Sequence, residues 1–198
     1  MAFNVAVLAS HVGTNLQALT AAARDSSSAF GVALVVSNNS GSGALAHARE
    51  MGIAALHMSG RTHPEPDALD QHMLDALRGF GIELIVTAGY MKKIGPAVLR
   101  EYEGRIINVH PALLPRHGGP GMYGRFVHEA VLASGDTVSG ATVHEVTANY
   151  DEGPIIAQRQ VPVLPEDSPE DLAARVLPVE HALLSTTVQA LALASQSR

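Results

Sequence analysis

Short runs of apolar residues punctuate the first half of the chain, and more polar stretches with helical periodicity separate them. Residues 5–9, 32–36, 54–58 and 84–88 are runs of this kind and are read as strands. Between them, residues 15–24, 43–51 and 66–79 repeat their apolar positions every three or four residues, which predicts helices. Strands that are apolar throughout, rather than alternating, are covered on both faces, and intervening helices imply parallel pairing. A fifth strand is expected over 105–109, after a helix starting near Pro96, a residue suited to a first helical turn.

The pattern changes after Val109. Prolines and glycines crowd residues 111–124 and predict a long irregular stretch, followed by a helix near 125–134. Residues 140–146 and 155–163 read as two strands joined by a turn at Asp151-Glu152-Gly153-Pro154. Their closeness in sequence predicts antiparallel pairing. Asp167-Ser168-Pro169-Glu170 combines a cap, a proline and an early acid, so a helix begins there and is expected to reach Ser195 with a kink at Pro178. The fold class that results is α/β, a Rossmann-like, doubly wound, mostly parallel sheet with an antiparallel edge in the C-terminal half. No repeat or linker divides the chain, so residues 1–198 are read as one domain.

Composition narrows the class. The 198 residues are 46% hydrophobic and 16% charged, which argues against disorder and leaves ample material for one core. The absence of cysteine removes disulfides, thiolate metal sites and thiol nucleophiles, and fits a reducing compartment. No apolar run approaches the ~18 residues of a membrane span, and the first residues lack a signal-peptide pattern, so a cytoplasmic protein without a membrane partner is expected. The net charge of −6 disfavours nucleic acid as a partner. Residues 90–125 depart from that balance, with Lys92, Lys93, Arg100, Arg105, Arg116 and Arg125 against only Glu101 and Glu103. A local basic zone on an acidic protein suits a small anionic ligand.

Ligands of open α/β sheets bind at the carboxyl ends of the strands, and three segments there carry chemistry. Ser10-His11-Val12-Gly13-Thr14-Asn15 joins the first strand to the first helix, where free backbone N–H groups attract anions. The same residues also make an ordinary capped turn. Asn108 and His110 lie two apart at a strand end and so share a face. An amide donor beside an imidazole can stabilise an oxyanion, and a histidine that merely caps the strand is the alternative. Asp151, in the turn after a later strand, is placed to face His110 and raise its pKa; an aspartate before Gly-Pro is equally common turn chemistry. Ten histidines raise the question of a metal, with His110, His117, His144 and Asp151 as ligands on paper, but no pair has HExxH spacing and no metal is expected. His144 alternates with apolar neighbours and is read as structural or as lining the site. His128 falls among the scattered remainder.

Together these segments resemble the phosphoribosylglycinamide formyltransferase family of folate-dependent purine synthesis. The resemblance covers nearly the whole chain. It rests on Gly13-Thr14-Asn15-Leu16-Gln17, on Gly89-Tyr90-Met91-Lys92-Lys93-Ile94, and on Asn108-Val109-His110-Pro111-Ala112-Leu113-Leu114-Pro115. Asp151-Glu152-Gly153-Pro154 completes it. The Asn-x-His-Pro signature is shared among formyl-handling enzymes, and the Gly-Thr-Asn-Leu-Gln loop narrows the match. The resemblance implies a formyltransferase fold, with 1–100 the phosphate-binding half and 101–198 the catalytic and folate-binding half. It implies Asn108, His110 and Asp151 as catalytic residues and Gly13, Thr14 and Asn15 as the phosphate site. Met91, Pro111 and Glu180 would meet the substrate. Met91, Lys92, Lys93, Ile94, Asn108 and Ala148 would meet the folate. The cosubstrate would be 10-formyltetrahydrofolate, the other partner glycinamide ribonucleotide, and the enzyme a monomer or homodimer. Leu177 stands where the family often has a basic residue, and Pro66, with Arg61 nearby, where it often has an arginine for the folate tail. The stretch 118–124 is longer than the commoner loop.

Overall fold

Val5 and Val7 of the first strand point to one side of a sheet, and Ala6 and Leu8 to the other; all four are fully buried. That alternation organises the computed structural model, which describes residues 3–197. Five strands run parallel: β1 (Phe3–Leu8), β2 (Phe30–Ser37), β3 (Ala54–His57), β4 (Leu84–Thr87) and β5 (Ile106–His110). Then β6 (Val138–Glu145) and β7 (Ile155–Pro162) add an antiparallel edge, giving the order β3-β2-β1-β4-β5-β6-β7. The expected mixed α/β sheet is thus observed.

Helices cover both faces. On the Val5 side pack α1 (Thr14–Ala23), α2 (Gly43–Glu50), α5 (Arg125–Ala133) and α6 (Pro169–Gln196), with Leu16, Leu45, Val127 and Leu184 buried among them. On the Leu8 side lie α3 (Pro66–Gly79) and α4 (Pro96–Glu101), contributing Met73, Leu77 and Val98. Truncating a residue such as Leu77 to alanine should cost about 2–5 kcal/mol, because a close-packed interior relaxes only partly into the cavity.

The start of α6 follows the sequence signal. The Ser168 hydroxyl accepts from the Asp171 amide over 3.2 Å, and the Asp171 carboxylate accepts from the Ser168 amide over 3.0 Å. The helix runs uninterrupted through Pro178. Among the described residues, α6 is the one helix long and apolar enough to cross a membrane. Its apolar stripe is spent on the sheet instead, where Leu172, Val176, Leu184 and Val188 are buried.

Strand register places the side chains that matter. Thr87 of β4 pairs with Asn108 of β5, and Asn108 pairs with His144 of β6. Direct cross-strand neighbours share a face, so three polar side chains line up across three strands.

Candidate active site

A cavity of about 810 Å³ opens at the carboxyl ends of the central strands, and the expected catalytic, phosphate, substrate and folate residues, from Gly13 to Glu180, line it. It lies where β1 is flanked by β2 on one side and β4 on the other, the place an open α/β sheet offers a ligand.

At one end is the turn into α1. Gly13 has φ +81°, and a Cβ there would come within 2.9 Å of the Ala44 Cβ, so only glycine fits. No side chain caps α1, so the first-turn N–H groups face the cavity without the competitor that the capped-turn alternative requires. Asn15 is engaged elsewhere. Its Nδ2 donates to Glu180 Oε1 over 2.5 Å, and its Oδ1 is buried without a partner. Burial pushes the Glu180 carboxyl up and the Asn15 bond pulls it back, with a net upward shift.

At the other end the cross-strand row is wired by hydrogen bonds. The Thr87 hydroxyl donates to Asn108 Oδ1 over 2.9 Å. That turns Asn108 Nδ2 towards His144 Nε2, at 3.1 Å. His144 Nδ1 donates to the Glu145 carbonyl over 2.9 Å, because a carbonyl can only accept, and its Nε2 faces both Asn108 and Asp151. Asp151 Oδ1 lies 3.5 Å from the same Nε2. The second N–H of the Asn108 amide is left for a ligand.

His110 is buried. Its Nε2 donates to the His117 carbonyl over 2.8 Å, and its Nδ1 lies 3.7 Å from Asp151 Oδ2. Asp151 has φ +57° and accepts from the Gly119 amide over 2.9 Å. Its turn folds tightly onto β6, since a Cβ on Gly153 would land 1.9 Å from the Glu145 carbonyl oxygen. Burial pushes the Asp151 carboxyl up, yet His144, the Gly119 amide and His110 together hold it below the usual carboxylate range. The expectation that Asp151 sets a raised His110 pKa is corrected here. Burial of the ring dominates and holds His110 below the ordinary imidazole value. Asp151 and the His117 carbonyl push upward against it without prevailing.

Apolar walls connect the two ends. Tyr90, Met91, Ile94, Leu99 and Val146 form one side, and Gly119 to Gly124 with Tyr123 form another. The Met91 amide donates to the Ser10 hydroxyl over 2.8 Å. Lys93 Nζ sits 5.1 Å above the Tyr150 ring, a cation–π contact at the rim.

A family model described as formyl transferase matches residues 3–188. This chain belongs to the formyl transferase family. A chloroplastic phosphoribosylglycinamide formyltransferase of Vigna unguiculata is 42% identical over 94% of this chain, which spans 60% of that protein's length. The phosphoribosylglycinamide formyltransferase of Escherichia coli is 36% identical over 91% of this chain and 82% of its own. The crystal structure of the Brucella melitensis phosphoribosylglycinamide formyltransferase superposes with a TM-score of 0.89, at 38% identity, covering 97% of this chain and 96% of that one.

Three histidines of this chain carry more of the site than their sequence pattern assigned. His144 belongs to the wired row rather than standing beside it. His128 of α5 is buried, lines the cavity and leaves Nδ1 without a partner. Burial, reinforced by His110, holds its pKa below the ordinary value. A polar residue beside the buried Val127 on an otherwise apolar helix face was the available hint. His117 has φ +56°, a backbone state that side-chain chemistry does not announce.

Proposed function

We propose that this formyl transferase moves the formyl group from 10-formyltetrahydrofolate to the amine of 5′-phosphoribosylglycinamide, in de novo purine biosynthesis. The observation that carries the reading is the meeting of Asn108, His110 and Asp151 in one cavity whose far end is the uncapped start of α1. The backbone N–H groups after Gly13, those of Thr14 and Asn15, hold the substrate phosphate. Glu180 lies beside them and meets the glycinamide end, and Pro111 and Met91 flank the reacting groups. The walls from Met91 to Ile94, with Ala148, hold the folate.

The folate supplies a formyl carbon that is already electrophilic, so the protein's task is orientation and charge. The amine nitrogen bonds to that carbon, the bond to the folate nitrogen breaks, and the amine's proton ends on the departing nitrogen. Negative charge grows on the formyl oxygen meanwhile. Asn108 donates its free N–H to that oxygen, and protonated His110 places its positive charge beside it. Burial opposes that protonation, and the Asp151 carboxylate is the group that favours it. The 3.7 Å between His110 and Asp151 exceeds a direct hydrogen bond and suits a bridging water as proton carrier. Small-molecule partners, a monomer or homodimer and a cytoplasmic setting accompany this reading.

The test is absorbance of the folate product with both substrates present and with each omitted. Signal that requires both supports the transferase. Signal without the ribonucleotide would instead indicate hydrolysis of the formyl donor, and no signal would leave a binding protein.

A further inference from the structure

His117 is one of two non-glycine residues with positive φ among those described; the other is Asp151. A side chain in the left-handed region costs roughly 1–2 kcal/mol, and such a state persists only where surroundings over-determine it. Here the polar partner of the side chain is a single carboxylate. His117 Nε2 donates to Asp136 Oδ2 over 2.7 Å, and Arg116 pairs with Asp136 Oδ1. Asp136 follows Gly135 in the connection between α5 and β6, so it is anchored outside the loop that it holds. Both its side chain and that of His117 are largely shielded, at 11% and 14% exposed, whereas Arg116 is 64% exposed and adds little.

The consequence reaches the site through the backbone. With the His117 side chain tethered, its carbonyl points at His110 Nε2. A carbonyl accepts and never donates, so the proton of neutral His110 must sit on Nε2. The nitrogen that gains and loses a proton is then Nδ1, the one facing Asp151. Were the loop carbonyl displaced, the two tautomers would become closer in energy and Nδ1 could be blocked by its own proton in the resting ring.

We infer that His117 and Asp136 are positioning residues for His110: the Asp136 carboxylate holds the His117 side chain, and the His117 carbonyl holds the His110 tautomer. Neither touches a reacting atom, and neither belongs to the motifs that carry the family resemblance. The catalytic consequence rests on the proposed transfer reaction, while the tautomer itself does not.

The test reads the tautomer directly, in the free full-length protein, by long-range proton–nitrogen correlation NMR with labelled histidine. Wild type is expected to show His110 protonated at Nε2 under conditions where the ring is neutral. Asp136→Ala should give a mixture of both tautomers. Asp136→Asn, whose amide oxygen still accepts from His117, should restore the single form. His117→Phe keeps a carbonyl at this position, removes the tether, and should behave as Asp136→Ala, which guards against one variant failing to fold. In turnover, the two untethered variants should lose about 10- to 100-fold in kcat, as misplaced groups do, with KM for the formyl donor within about two-fold. A single Nε2 tautomer persisting in both untethered variants would overturn the inference. The shift in tautomer without any transferase activity in wild type would leave it standing and remove the proposed reaction instead.

Discussion

Asn15 and Glu180 are 165 positions apart in sequence, yet Asn15 Nδ2 donates to Glu180 Oε1 over 2.5 Å. The bond ties the start of α1, at the phosphate end of the cavity, to the middle of α6. Glu180→Ala would strip a buried amide of its only partner, since Asn15 Oδ1 already has none. The expected cost is about 1–3 kcal/mol in urea denaturation. Glu180→Gln keeps an acceptor and should stay within about 1 kcal/mol of wild type. It should still raise KM for the ribonucleotide at least about ten-fold, the loss of one charged contact. Equal KM values would remove Glu180 from the substrate site.

Asp151→Asn separates charge from shape. Asparagine tolerates the +57° φ and its oxygen can still accept from the Gly119 amide. The variant should fold as wild type and lose most turnover, as should His110→Ala. Asn108→Ala should lose about 10²–10³ in kcat, the usual loss for one oxyanion donor. Turnover that needs the imidazolium falls as pH rises through the His110 pKa. Asp151 pushes that pKa upward, so in Asp151→Asn the fall should move to lower pH. An unmoved profile would separate Asp151 from His110.

Stability should depend on pH through the buried histidines. His110, His128 and His181 are all held below their ordinary 6.5 by burial. The folded protein therefore binds fewer protons than the unfolded chain in this range, so stability is complete above about pH 6.5 and is lost as pH falls towards the folded values. Urea midpoints should be level from about pH 8 to 7 and decline from about 6.5 to 5. His128→Gln should make that decline shallower. A flat midpoint across the whole interval would count against all three assignments.

Gly13→Ala puts a Cβ 2.9 Å from the Ala44 Cβ on a backbone with φ +81°. The left-handed conformation alone should cost about 1–2 kcal/mol, with the close contact in addition. If the turn holds the phosphate, KM for the ribonucleotide should rise about ten-fold or more while KM for the folate stays near wild type. A rise in both would point to general loosening of the cavity.

The reach of the sequence differs between backbone and site. Unbroken apolar runs such as Val5 to Ala9 declared buried parallel strands, because a strand covered on both faces has no polar position to spare. Strand ends were less certain: β2 begins at Phe30, two residues before its apolar run, and Arg105 falls outside β5. The i, i+2 spacing of Asn108 and His110 was enough to place both in one cavity. The net direction of the His110 pKa was not readable, because a nearby carboxylate is visible in a motif whereas the depth of burial is a property of the packed whole. The positioning role of His117 was unreadable for a similar reason. Its contribution passes through a carbonyl, and every residue has one.

The row Thr87, Asn108 and His144 exists because of strand register, and register has a sharp tolerance to added residues. Lengthening the connection between His110 and Val138 changes the span of a loop and leaves each partner opposite its own. One extra residue within β6, between Thr142 and Val143, instead turns the following side chains to the other face and carries Val143 to the place opposite Asn108. Such an insertion would preserve a seven-stranded sheet and silence its chemistry. Natural length variation, and grafting aimed at new acceptors, should therefore fall in connections away from His117, Gly119 and Asp136 and be rejected within a strand of eight residues.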